Sequence, residues 1–214
     1  MSRQAVIFDL DGVIVSTDEY HYRAWQRMAD EQELRFDRAV NERLRGVSRM
    51  ESLAIILDHS GVRLAPETMA ELASKKNAWY RDSLAQLTPQ DVLPGALPLL
   101  SELRARGIRQ AIGSSSKNAR TILDRIGLRD WFDAVADGNG IVRSKPDPEV
   151  FLLAARLLGV VPETCVVVED AEAGLAAARA AGMKAVGVGA AANSPLAHCA
   201  AKDLTGAALD EWLA

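Results

Sequence analysis

Apolar residues gather into short runs along the chain, and their spacing predicts the elements. Ala5-Val6-Ile7-Phe8 is an unbroken apolar run that stops at Asp9, the pattern of a strand covered on both faces. From about Asp18 to about Gln86 the period is helical, and no strand is expected there. Tyr22, Trp25 and Ala29 make one stripe, and Leu53, Ile56 and Leu57 a second. A third helix opens near Pro66 and carries Met69, Leu72, Trp79 and Tyr80. After Pro94-Gly95, helix and strand alternate. A helix through Leu97, Leu100 and Leu103 closes at Gly107, and a strand from Ile108 to Ile112 leads into the polar loop Gly113-Ser114-Ser115-Ser116. A helix with Ile122, Leu123 and Ile126 stops at Gly127, and Ala134 to Ala136 is a weak strand. Val150, Phe151, Ala154, Leu157 and Leu158 mark a helix ending at Gly159. Cys165 to Val168 is the clearest β run and ends at Glu169-Asp170. An alanine-rich helix to Gly182 and a strand near Ala185 to Val188 follow.

Strands separated by helices imply βαβ units and an α/β fold with a doubly wound parallel sheet, Rossmann-like, covered on both faces. The helical block then reads as an insertion after the first strand. The expected organisation is a catalytic core over 1–15 and 89–214, with an all-helical cap over 16–88. Residues after Ala190 are small and polar, and no chemistry is assigned to them.

Composition narrows the function classes. The chain has 214 residues, with 25 Lys or Arg against 29 Asp or Glu, a formal charge of −4. That length buries a substantial core without metal or disulfide staples. No apolar run is long enough to span a bilayer, and the N-terminal run turns acidic too soon for a signal peptide. Cys165 and Cys199 sit in no CxxC or Cys/His cluster; Cys165 is expected as a buried strand residue and Cys199 as a tail residue. A reduced, cytoplasmic monomer is expected, with neither nucleic acid nor membrane as partner. A small anionic substrate stays open, because local fields outweigh the total.

In a parallel α/β sheet, ligands bind beyond the carboxyl ends of the strands. Three expected strands end in polar chemistry: Asp9-Leu10-Asp11-Gly12, Ser114-Ser115-Ser116 and Glu169-Asp170. Four carboxylates on one rim repel one another unless a cation lies among them, and hard oxygen ligands suit Mg²⁺. Any one acidic strand end is ordinary loop chemistry; two, each after a strongly apolar strand, argue for a site. A turn at Gly12 lets Asp9 and Asp11 face one cleft. That division suits phosphoryl transfer by a carboxylate nucleophile beside an acid/base residue.

These residues resemble, in order, the four motifs of the haloacid-dehalogenase-like superfamily: Asp9-Leu10-Asp11-Gly12-Val13, the strand end at Ser114, Lys145-Pro146-Asp147-Pro148, and Glu169-Asp170. The match spans nearly the whole chain. Within the superfamily, Glu19-Tyr20-His21, Gly46-Val47-Ser48-Arg49, Lys76-Asn77 and Ser114-Ser115-Ser116-Lys117-Asn118 are similar to segments of its phosphosugar mutases. The resemblance implies interconversion of β-D-glucose 1-phosphate and glucose 6-phosphate through an aspartyl phosphate, with glucose 1,6-bisphosphate as activator and intermediate. It implies Asp9 as nucleophile and Asp11 as general acid/base, with Mg²⁺ held by Asp9, the Asp11 backbone carbonyl, Glu169 and Asp170. It also places Thr17 and His21 with the catalytic residues, and Gly46, Val47, Trp25 and Ser52 on the substrate side of the cap. The family often has an acid where this chain has Ser16, beside the hinge, and a smaller residue at Ser115; these bear on rate and hinge behaviour rather than reaction class.

Pro146 biases Lys145 toward an extended backbone that holds its side chain over the carboxylates, where it would neutralise the transferring phosphoryl group. Lys117-Asn118 opens a helix, so amides at that start with Ser115, Ser116 and Lys117 form a phosphate seat; a plain Ser/Asn cap is the alternative. Ser114 would contact the transferred phosphoryl group, and Ser116, Lys117 and Asn118 the other phosphate. Lys76 falls four residues after Leu72 and four before Tyr80, on an apolar stripe, and so faces inward unless it snorkels to the surface. Arg49 suits bidentate phosphate binding. A sugar-phosphate phosphatase of the same superfamily is the first rival reading, since it shares the core motifs. A non-catalytic phospho-receiver module is the second. Arg49 with Ser116, Lys117 and Asn118 supplies the second phosphate seat that a mutase needs.

Overall fold

The computed structural model describes residues 3–214. Its elements are β1 (Ala5–Phe8), α1 (Asp18–Glu31), α2 (Arg38–Glu42), α3 (Arg49–Ser60), α4 (Pro66–Leu84), α5 (Ala96–Ala105), β2 (Arg109–Gly113), α6 (Ala119–Arg125), β3 (Ala134–Ala136), α7 (Glu149–Leu158), β4 (Cys165–Glu169), α8 (Glu172–Ala180), β5 (Lys184–Val188), β6 (Cys199–Ala201) and α9 (Leu209–Leu213). The strands form one sheet in the order β3-β2-β1-β4-β5-β6, parallel throughout. The connections run outward in both directions from the β1–β4 pair, which opens a crevice at the carboxyl ends of those two strands. The register pairs Phe8 with Val168 on one side and with Ile112 on the other. Asp9 therefore emerges level with Glu169 and Gly113, with Ser114 one residue further along the same rim.

Alternation along the strands splits the core into two layers. Val6, Phe8, Ile112, Val166 and Val168 pack with Leu99, Leu100 and Leu103 of α5 and Ile122 and Leu123 of α6. Ala5, Ile7, Ala111 and Val167 pack with Phe151 and Ala154 of α7 and Leu175 and Ala178 of α8. The helical block α1–α4 has its own centre of Trp25, Met28, Leu53, Ile56, Leu57 and Leu72. Local chemistry starts its helices: a capping box between Ser48 and Glu51 opens α3, and Pro66 occupies the first turn of α4.

The strand expected over 108–112 is shifted by one residue, because Gly113 is still paired with Ala136. The short helix α2, capped by the Asp37 side chain, breaks the long helical stretch. The segment after Ala190 is more ordered than its composition implies. It adds the edge strand β6, in which Cys199 sits, and α9, whose Trp212 is fully buried. Cys165 is buried in β4 as expected. Among the described residues, no helix is long and apolar enough to cross a membrane.

Candidate active site

A cavity of about 460 Å³ lies between the carboxyl edge of the sheet and the helical block. Asp9, Asp11, His21, Trp25, Gly46, Val47, Arg49, Ser52, Lys76, Ser114, Ser115, Ser116, Lys117, Asn118 and Asp170 all line it. Thr17, Lys145 and Glu169 lie behind that surface, fully buried.

The floor is built at the β1–β4 crevice. The Asp9 amide donates to the Val168 carbonyl (2.9 Å), which fixes the residue at the strand end. Gly12 turns the chain at φ +82°, and a Cβ there would lie 2.1 Å from Asp170 Oδ2. Only glycine lets this turn close against the second acidic strand end. Lys145, joined to Pro146 by a cis peptide bond, places Nζ 2.5 Å from Asp9 Oδ1 and 2.7 Å from Glu169 Oε2. Burial alone would lower its pKa, but Asp9 and Glu169 hold it above the ordinary lysine value. Glu169 Oε1 accepts from the amides of Asp170 (3.1 Å) and Ala171 (3.0 Å). Burial, with Asp9 beside it, pushes Glu169 up to about 7 against the pull of Lys145. Burial, then Glu169, Asp9 and Asp11, push Asp170 up to about 9.

The donor set fits Mg²⁺. Asp9, Glu169 and Asp170 each offer an oxygen within 4.8 Å of the others, all three are buried, and their mutual repulsion is what a divalent cation relieves. Glu169 also accepts from Lys145 and from the backbone amides, so besides offering an oxygen it braces the cluster.

The Asp11 carboxylate is held apart from this cluster, at the root of α1. The Thr17 amide donates to Asp11 Oδ1 (2.6 Å) and the Thr17 hydroxyl to Oδ2. The Tyr80 hydroxyl lies 2.9 Å from Thr17 Oγ1. A hydroxyl has one proton to donate, and Thr17 spends its own on Asp11, so Tyr80 donates to Thr17. Burial, then Asp18, push Asp11 up to about 7 against the Thr17 bonds, a value suited to an acid/base group at neutral pH.

The opposite wall comes from the helical block. Lys76 is buried, as its place on the stripe predicts, over the rings of Trp25 (4.5 Å) and Tyr80 (4.8 Å). Its Nζ lies 2.7 Å from His21 Nδ1. An ammonium only donates, so with Lys76 protonated the neutral imidazole carries its proton on Nε2. Burial, Lys76 and Arg49 hold His21 well below its ordinary pKa. Asn118 stands at the N-cap of α6, but its side chain makes no capping bond there. Its side chain donates instead to Asn77 Oδ1 (3.0 Å), and the Ser115 hydroxyl donates to the Gly46 carbonyl (3.2 Å), so the serine loop is tied to the helical block.

Arg45 is a lining residue the sequence reading passed over. Its guanidinium bridges Asp18 (2.5 Å), Glu42 (3.0 Å) and Asp170 (3.1 Å). Nothing in a lone arginine before Gly46 signals that reach. Tyr80, read only as a stripe residue, is the second omission.

A family model of haloacid dehalogenase-like hydrolases matches residues 4–182. The chain belongs to this family. It is 47% identical to the β-phosphoglucomutase of Bacillus subtilis over 188 residues, covering 87% of this chain and 83% of that one. It is 35% identical to the fructose-1-phosphate phosphatase YqaB of Escherichia coli, with 86% and 95% covered. The crystal structure of β-phosphoglucomutase from Clostridium difficile superposes with a TM-score of 0.92 at 38% identity, covering 97% of this chain and 94% of that one.

Proposed function

We propose that the protein is a β-phosphoglucomutase, a monomer that interconverts β-D-glucose 1-phosphate and glucose 6-phosphate through phospho-Asp9 and glucose 1,6-bisphosphate. The observation that carries this reading is the two-walled cavity. Asp9 stands on its floor, while Arg49, Ser116, Lys117 and Asn118 line it as a second anion seat on other elements. Relatives that are mutases and share most of the chain support the same assignment. Two buried, unpaired cysteines accord with a reducing, cytoplasmic setting.

Residues 16–88 act as a cap over a core of 1–15 and 89–214. Asp9, the Asp11 carbonyl, Glu169 and Asp170 would hold Mg²⁺, which would supply charge neutralisation for the phosphoryl group. Asp9 attacks phosphorus through its carboxylate, and Lys145 stabilises the charge that develops there, with the Ser114 hydroxyl beside it. Asp11, released from Thr17, takes the proton of the attacking sugar hydroxyl and returns one to Asp9's leaving sugar oxygen in the other half of the cycle. Arg49 and Lys76 bind the substrate from the cap side, His21 and Trp25 support Lys76, and Gly46, Val47 and Ser52 shape that wall. Closure excludes water from phospho-Asp9.

The test is a purified-protein assay with β-glucose 1-phosphate, Mg²⁺ and a trace of glucose 1,6-bisphosphate. Glucose 6-phosphate is the expected product. Inorganic phosphate in its place would assign the chain to the sugar-phosphate phosphatases. Asp9→Asn is expected to lose turnover with its circular dichroism unchanged; appreciable mutase activity in that variant overturns the assignment.

A further inference from the structure

Asp137 is a buried carboxylate outside the acidic cluster, and the mechanism above gives it no role. It follows β3, and its two oxygens do separate work. Oδ2 accepts from Arg120 Nε on α6 (3.2 Å), and Arg120 also donates to the Val135 carbonyl (3.0 Å). Oδ1 accepts from the Asn139 amide (2.9 Å) and so turns the chain at 137–139. From that turn, two donors reach the serine loop. The Gly138 amide donates to the Ser116 carbonyl (3.1 Å), and Asn139 Nδ2 donates to the Lys117 carbonyl (3.0 Å). The fit is close: a Cβ on Gly138 would lie 2.3 Å from the Ser115 carbonyl oxygen.

These bonds decide how the seat presents itself. A planar trans peptide sets its N–H opposite its C=O. With the carbonyls of Ser116 and Lys117 drawn to residues 138–139, the Lys117 and Asn118 amides point away from that turn. The Asn118 amide then reaches Ser116 Oγ (3.1 Å), holding the hydroxyl of a seat residue. Arg120 sits in the first turn of α6, directly after the loop, so the Asp137 ion pair anchors the far end of the same segment. None of these contacts involves Asp9, Lys145 or Glu169.

We propose that Asp137 and Asn139 are positioning residues that set the serine loop for a second phosphate, and thereby select donors carrying two phosphoryl groups over donors carrying one. The proposal rests on the mutase reading for its substrate and deepens it, by assigning the bisphosphate preference to a turn outside the cavity's charged residues. The test compares Asn139→Ala and Asp137→Asn with wild type on two donors: glucose 1,6-bisphosphate, and p-nitrophenyl phosphate, which has no second phosphate. Asn139→Ala is expected to raise the KM for the bisphosphate about tenfold, the scale of one hydrogen bond. Its kcat and its kcat/KM for p-nitrophenyl phosphate are expected to stay within about twofold of wild type. Asp137→Asn is expected to move the same way and further, because Arg120 then lacks its anion.

Equal losses on both donors, or an unchanged bisphosphate KM, would overturn the proposal by reducing the turn to a plain structural role. A readout without turnover keeps the two readings separate: the rise in melting temperature given by glucose 1,6-bisphosphate against that given by inorganic phosphate. If wild type forms no glucose 6-phosphate, the mutase reading fails. A bisphosphate-specific rise that Asn139→Ala abolishes still upholds the positioning role, and one that Asn139→Ala retains overturns it.

Discussion

Replacing Lys145 by Met takes the charge out of the carboxylate cluster and keeps an apolar stem against the Phe151 ring, which lies 4.7 Å from the ammonium. The ammonium is fully buried between Asp9 and Glu169. Removing one partner of a buried ion pair costs roughly 3–5 kcal/mol. Coulomb's law gives the same scale, since carboxylate oxygens within 4.8 Å of one another repel by at least about 3.5 kcal/mol at an effective dielectric constant of about 20. For a chain of 214 residues the melting temperature should fall by roughly 6–20 °C. The loss should depend on pH. Glu169, at about 7 against an ordinary 4.5, and Asp170, at about 9 against 3.8, bind more protons folded than unfolded. The metal-free protein therefore loses stability as pH rises from the unfolded values through the folded ones. Without Lys145 the Glu169 carboxylate rises further, so the deficit should be small near pH 5 and large near pH 9, and Mg²⁺ should recover much of it. Melting by circular dichroism at those two pH values, with Mg²⁺ and with chelator, is the assay. A deficit equal at both values and indifferent to Mg²⁺ would refute this electrostatic account and leave packing as the cause.

Thr17→Val removes the hydroxyl that lowers the Asp11 pKa, so Asp11 should rise above about 7 and the acid limb of kcat/KM should move to higher pH; an unmoved limb would detach Thr17 from the acid/base group. Lys76→Met deletes one of the charges holding His21 down. The His21 ring signal in NMR should then titrate at higher pH. Because a His pKa depressed by folding withdraws stability as pH falls below about 6.5, the variant should also lose less stability in acid than wild type. Arg45→Ala frees Asp170 from a partly exposed ion pair. Calorimetry of the substrate-free protein should show Mg²⁺ binding up to about fivefold tighter, the scale of about 1 kcal/mol for such a pair. Weaker binding would mean that Arg45 braces the ligand instead of competing for it.

What could be read from the chain alone follows from which interactions are local. β1 and β4 are covered on both faces, so every position is apolar and the acid that ends each run stands out. The Asp9, Ser114 and Glu169 strand ends converge because parallel pairing does so without further information. Lys76 was legible for the opposite reason, as a charge on a stripe where packing wants an apolar side chain. β6 left no trace, because an edge strand of three residues has too few positions to show a period. The tie from Ser115 to Gly46 ends on a backbone carbonyl, which no residue type advertises. Arg45 and Asp137 were missed because their partners lie far along the chain, at Asp170 and Arg120.

The two walls of the cavity differ in how their charges are balanced, and this would give the proposed closure a driving force. On the core side Lys145 is overmatched by acids, which keeps it charged, while burial and then the neighbouring carboxylates push Glu169 and Asp170 toward protonation. On the helical side Arg49 and Lys76 form no ion pair among the described residues, and burial lowers the pKa of both, with Arg49 lowering Lys76 further. Lys76 rests on two aromatic rings and a neutral imidazole, which soften its desolvation without neutralising it. One wall thus lacks a cation and the other an anion. A magnesium–phosphosugar pair brings both, and it can satisfy them together only when the walls are near each other. In the proposed mechanism substrate binding and cap closure are the same electrostatic event, and the formal charge of −4 conceals two opposite local deficits.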